Sequence, residues 1–206
     1  MGVSSTRILT AIRPRGARAI RHCLERGGAI RSLAAGVASL VLTAATASVG
    51  WAQSPSTTAT GVINGKSIAV RYSAPSVRGR QIFGAGGLLS RDPTYPAWRA
   101  GANAATTFTT DADITVGTLA VPKGTYTLYA WVQNPDAWDL IISKQTGQWG
   151  LNYDAKQDLG RVKMTLSKPS ALVETLKYTI ADKGAGSGEL RLEWEHRVAT
   201  VPITVK

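Results

Sequence analysis

Arg78, Arg80, Arg91 and Arg99 share one stretch with Tyr95, Trp98 and Asn103, and these are side-chain types that grip anions and sugars. Guanidinium forks bind carboxylate, phosphate or sulfate bidentately, indole faces stack on sugar rings, and the asparagine amide both donates and accepts. The stretch, residues 73–107, is dense in Gly and Pro. A long irregular connection inside a domain is usually either functional or disordered, and binding groups concentrate on loops that a scaffold holds. Trp149 stands in a second irregular stretch, residues 146–158, and joins the set. The candidate ligand-binding residues are therefore Arg78, Arg80, Trp98, Arg99, Asn103 and Trp149, for an anionic or carbohydrate (polyhydroxyl) ligand. The competing reading is architectural: tryptophans of a domain without disulfides fill its core, and arginines tie loops to backbone carbonyls.

The residues that would carry catalysis are scarce. Beyond residue 52 the chain has no cysteine, the single Cys23 lying in the leader. That removes a thiol nucleophile and the thiolate of a blue-copper site. His196 is the one histidine there, so a Ser-His-Asp arrangement would have to use it, and it cannot supply a clustered zinc site. Alternation places His196 inward with Leu192 and Trp194, as a structural histidine. The pairs Asp111/Asp113, Asp136/Asp139, Asp154/Asp158 and Glu193/Glu195 are spaced for two-carboxylate chemistry. However, Glu193 and Glu195 alternate with arginine on an outer strand face, and Asp136 and Asp154 sit in turns that use aspartate for backbone hydrogen bonds. Gly84, Gly86 and Gly87 lack the lysine and helix of a phosphate-binding loop. No cofactor and no metal is implied. The inventory points away from an enzyme, with a cell-wall or ester hydrolase using carboxylates or His196 as the alternative, and a purely structural envelope protein as the third reading.

The formal net charge of +11 suggests nucleic acid until the charges are located. Seven arginines and one acid, Glu25, lie in residues 1–52, ahead of an apolar run over residues 33–49 and a small-residue exit at Gly50-Trp51-Ala52. This is the pattern of a secretory signal with a long basic region, cleaved near Ala52-Gln53, or kept as an anchor if uncleaved. Without it Lys plus Arg falls from 24 to 17 and Asp plus Glu from 13 to 12, leaving +5. That is no footprint for a nucleic-acid duplex. An exported protein is expected, periplasmic or extracellular, meeting a membrane only through the leader.

The elements that must position the candidate residues read as strands. Residues 53–59 form a Ser/Thr/Pro linker, and residues 60–206 one domain. Asn64-Gly65 marks a tight hairpin, and Ile68, Val70 and Tyr72 alternate with polar residues after it. Residues 106–116 are β-branched, and residues 125–132 are apolar on both faces, which marks a central strand covered on both sides. Trp138, Leu140 and Ile142 form the next inward row, followed by Val162, Met164 and Leu166. Leu172, Leu176, Tyr178 and Ile180 follow as one face, which Glu174 interrupts, and a final pair covers residues 189–195 and 198–205. The fold class is all-β: a single antiparallel β-sandwich, or an open barrel, of about eight to ten strands.

Several motifs in order then resemble one family. Tyr72-Ser73-Ala74-Pro75-Ser76-Val77-Arg78-Gly79-Arg80, Ile82-Phe83-Gly84, Trp98-Arg99-Ala100-Gly101-Ala102-Asn103 and Val121-Pro122-Lys123-Gly124-Thr125-Tyr126 look like the bacterial DUF2911 family. Gly147-Gln148-Trp149-Gly150 and Leu192-Glu193-Trp194-Glu195 continue the resemblance across the domain. It implies an exported all-β domain and assigns no activity. Two positions depart from the family pattern: Ala100 stands where threonine is common, and Ala104 where glutamate typically follows Gly-Ala-Asn. Any role of that glutamate does not transfer to this chain.

Overall fold

The computed structural model describes residues 53–205; the signal sequence expected over residues 1–52 lies outside them. The strands are β1 (Ser56–Ile63), β2 (Lys66–Ser73), β3 (Ala97–Trp98), β4 (Ala102–Thr110), β5 (Ile114–Val116), β6 (Leu119–Val121), β7 (Gly124–Asn134), β8 (Ala137–Ser143), β9 (Asp158–Ser167), β10 (Val173–Gly184), β11 (Ser187–Glu195) and β12 (Arg197–Val205). One antiparallel path links β1-β2-β4-β7-β8-β9-β12-β11-β10, with β3 on β7 and the small β5–β6 hairpin on β12. Of the two architectures left open by the sequence, the nearly closed barrel is the one observed.

Closure is built from small residues and a borrowed ladder. β1 and β10, the two ends of the path, lie against one another at Gly61, where an added Cβ would meet the Ile180 carbonyl oxygen at 2.8 Å. At one end of that seam the chain leaving β2 pairs with β10: the Val77 amide donates to Glu174 O at 2.8 Å, and the Leu176 amide to Pro75 O at 2.9 Å. Otherwise-orphaned edge groups are thus satisfied without a further strand.

Apolar alternation fills the interior. Phe83, Trp98, Trp138 and Trp194 meet at its centre, with Trp98 and Trp194 stacked at 5.5 Å between ring centroids and Phe83 edge-on to both. Tyr72 meets Tyr178 edge to face at 4.8 Å, and the Tyr178 hydroxyl donates to Ala100 O at 2.9 Å. On the outer face of β7, Tyr129 packs with Ala97, Ile141 and Tyr153, so the central strand is covered on both sides as its sequence predicts.

Four expectations change. The linker is shorter than residues 53–59, because the Thr-rich run from Ser56 pairs fully with β2. Residues 73–107 are not simply a surface loop: Val77, Ile82, Phe83, Leu89, Trp98 and Ala100 are buried, so the stretch plugs the barrel with its own apolar residues. In β10 the register shifts between Val173 and Lys177. That irregularity turns Glu174 outward and leaves Leu172 exposed, while Leu176, Tyr178 and Ile180 stay inside. Finally, His196 is exposed, because Glu195 and His196 form the two-residue turn between Trp194 and its partner Arg197.

Candidate functional site

A break in the β2–β4 ladder organises the site. Arg71 pairs with Thr107, but Ser73 pairs with Ala102. Tyr72 therefore faces four residues of β4: Asn103, Ala104, Ala105 and Thr106. Asn103 takes φ +60 at the start of this bulge, a left-handed conformation that asparagine tolerates better than most residues. Bulging re-aims side chains and strips backbone groups of their ladder partners. The second irregular stretch supplies replacements. Ala105 N donates to Gln148 O at 3.3 Å, Gly150 N donates to Asn103 O at 3.2 Å, and Ala104 bridges Trp149. Gly150 must be small for this docking: a Cβ would fall on Arg99 Cδ and 2.5 Å from Asn103 O. The docked stretch is held from beneath by Gln148, whose Nε2 donates to Thr127 Oγ1 and to Tyr129 Oη, each at 3.2 Å.

Two clefts flank the bulge. One, of 360 Å3, is lined by Arg71, Ser73, Asn103, Ala104 and Trp149. The other, of 280 Å3, is lined by Ser76, Arg78, Arg80 and Asn103. Gln53, Ser54 and Asn103 line both, so the clefts form one groove that crosses the Asn103 Nδ2 to Ser54 O hydrogen bond of 3.3 Å. Among the described residues no carboxylate lines either cleft. Arg71, Arg78 and Arg80 are exposed, and among the described residues none of them is in an ion pair. Arg80 is fixed by its own loop, donating from Nε to Val77 O at 2.9 Å and from Nη2 to Ser76 O at 2.6 Å. The backbone at Arg78 is fixed as well, at φ +50, with its amide on Glu174 Oε1 at 2.9 Å. Trp149 is 54% exposed, an indole that its neighbours leave available for stacking.

Of the sequence candidates, Arg78, Arg80, Asn103 and Trp149 line this groove, and Trp98 and Arg99 do not. Trp98 is 1% exposed, with Nε1 donating to Gly101 O at 3.1 Å. It is a core tryptophan that reaches a separate 230 Å3 cleft beside Leu89, Asp92, Arg99 and Trp194. Arg99 Nη1 pairs with Asp92 Oδ2 at 2.7 Å. Burial pushes the Asp92 carboxyl up, but hydrogen bonds from the Thr94 amide and hydroxyl and the Arg99 charge outweigh it and hold the group below the usual range. This arginine positions the two loops, with its stem against Gly150. Arg91, likewise, donates to Gly86 O at 2.8 Å.

The groups of the hydrolase alternative are dispersed. His196 borders a 460 Å3 cleft with Gln81, Phe83, Lys168, Glu195 and Arg197, and among the described residues no serine, threonine or cysteine lines it. Glu195 Oε1 is occupied by the Ile82 amide at 2.8 Å. Glu193 lies between Lys177 at 3.1 Å and Arg191 at 3.0 Å. Burial raises its pKa, yet the two cations prevail and lower it. Asp154 accepts the Lys156 amide, the turn chemistry expected of it, whereas in the turn at Asp136 the acceptor is Asn134 Oδ1, which takes the Asp136 amide; Asp113 accepts the Lys123 amide ten residues on.

Sequence reasoning missed Arg71. It reads as an ordinary outward residue of β2, and only the bulge opposite it opens a cleft at its side. Its position on the polar face, two residues before the irregular stretch, was the available signal.

A family model described as "Protein of unknown function (DUF2911)" matches residues 54–203. No curated protein and no solved structure gives a significant match.

Proposed function

The chain belongs to the DUF2911 family, and from that premise and the chemistry of the groove we propose that it is a non-catalytic binding module of the cell envelope, exported and taking an anionic ligand. One observation carries the reading. Among the described residues, three exposed arginines in no ion pair, Arg71, Arg78 and Arg80, line a groove to which no carboxylate contributes. The Arg80 guanidinium, fixed by hydrogen bonds to Val77 O and Ser76 O, loses little freedom when an anion binds, and charge-assisted forks are the stronger hydrogen bonds available to all three arginines. Asn103 and the serines add neutral donors and acceptors, and Trp149 adds a stacking face.

The test is calorimetric titration with inorganic phosphate, sulfated and uronate oligosaccharides, and their neutral counterparts. The anionic members bind, and the Arg71→Ala, Trp149→Ala double variant loses that binding while its thermal midpoint stays unchanged. Absence of binding by every anion, or a double variant that binds like the parent, would overturn the proposal.

A further inference from the structure

We propose, resting on that reading, that the groove takes a strand of acidic glycan spanning both clefts rather than a single compact anion. Its side-chain charge is distributed as positive, neutral, positive. Arg71 lines only the first cleft, Arg78 and Arg80 line only the second, and the residues common to both, Gln53, Ser54 and Asn103, have uncharged side chains. A compact anion seated in either cleft meets the arginines of that cleft alone. A ligand that satisfies both ends carries acidic groups at intervals, separated by a segment that exchanges hydrogen bonds with amide and hydroxyl side chains. Linked sugars bearing carboxylate or sulfate have that composition.

Size and aromatic content agree with this assignment. Volumes of 360 and 280 Å3 each sit near the lower end of the roughly 300–1,000 Å3 typical of small-molecule sites, and joined they reach its middle. The first cleft has one exposed indole, Trp149, beside Arg71, where a sugar ring stacks with its acidic group toward the guanidinium. Single-stranded nucleic acid is the other flexible polyanion, but it binds through successive aromatic platforms, and among the described residues Trp149 is the one exposed aromatic of the groove, Tyr72 being buried.

The experiment titrates the protein with oligouronates and sulfated oligosaccharides of one, two, four and six residues, and with oligodeoxythymidylate, using the parent, Arg78→Asn and the Arg71→Ala, Trp149→Ala double variant. Asparagine at position 78 removes the charge while tolerating the left-handed backbone, and Arg80 is left intact because it holds the loop. Affinity rises at least about tenfold from one to four residues, as expected for an added charge-assisted contact. Arg78→Asn cancels that rise, leaving affinity nearly flat from one to four residues. The carboxylate and sulfate series identify which acid is preferred. Affinity that is flat with length, together with a silent Arg78→Asn, overturns the strand but leaves the anion groove standing. Tighter binding of oligodeoxythymidylate than of every four-residue glycan overturns the glycan assignment. No anion bound at all, with the double variant indistinguishable from the parent, overturns the groove reading beneath both.

Discussion

Gly150 donates its amide to Asn103 O at 3.2 Å, and a methyl group on its Cα would approach the same oxygen to 2.5 Å. The contact is thus both the hydrogen bond that docks one irregular stretch on the β4 bulge and the reason that no side chain fits there. Trp149 is held in the groove by this junction together with the Ala105–Gln148 hydrogen bond on its other side. Gly150→Ala is therefore expected to cost about 1–3 kcal/mol, the range for overpacking, and to release the Gln148–Gly150 bridge. Hydrogen exchange at Ala105 checks it, since that amide is held by Gln148 O. Exchange as slow as in the parent would contradict the docking account.

The two tryptophans that look alike in sequence have opposite roles. Trp98 is buried against Trp194 and Phe83, whereas Trp149 is over half exposed. Trp98→Ala should destabilise by about 3–5 kcal/mol, and Trp149→Ala should change stability by about 0.5 kcal/mol or less. Urea unfolding of both variants decides the point.

Much of the barrel was legible because period-two alternation is a local signal. Ile68, Val70 and Tyr72 point inward in β2, and Leu190, Leu192 and Trp194 in β11, as their spacing predicts. The failures share a cause in long-range contacts. The outward turn of Glu174 depends on Pro75 and Val77 pairing with β10, nearly one hundred residues away in sequence. His196 follows the alternation of β11 on paper but falls in the turn, because the Trp194–Arg197 pair ends the ladder one residue earlier. The site was half legible for the same reason. Arg78, Arg80, Asn103 and Trp149 are named by composition, but the bulge that brings Arg71 beside them is a property of two paired strands. Nor does composition separate a core indole from an exposed one.

Ala104 offers a direct test of the electrostatics. It is exposed, lies in the first cleft beside Arg71 and Trp149, and occupies the position where the family resemblance implies glutamate. Ala104→Glu introduces a carboxylate into a cleft to which none of the described residues contributes one. Anion affinity should fall about tenfold or more, the size of one charge-assisted contact, with the melting temperature unchanged. Calorimetry with the preferred anion checks this; undiminished affinity would show that the first cleft is not where the charge is read.

Acid stability follows from two carboxylates. Asp92 and Glu193 are both held below their ordinary values, 3.8 and 4.5, by partners that outweigh burial. The unfolded chain therefore binds these protons more tightly than the folded one. The stability they contribute is present above the ordinary carboxylate range and is lost as pH falls through the lowered values. Urea midpoints should drop between about pH 5 and about pH 3, and Glu193→Gln should flatten part of that slope. A parent profile that is level over this interval would contradict the assignment.

The central claim is a location, and chemical-shift mapping tests it most directly. With the protein labelled in nitrogen-15, addition of an acidic oligosaccharide should move the Trp149 indole resonance and the amides of Arg71, Arg78 and Asn103, leaving the Trp98 indole in place. Shifts centred instead on Lys168, His196 and Arg197, around the separate 460 Å3 cleft, or spread over the surface without a centre, would contradict the account.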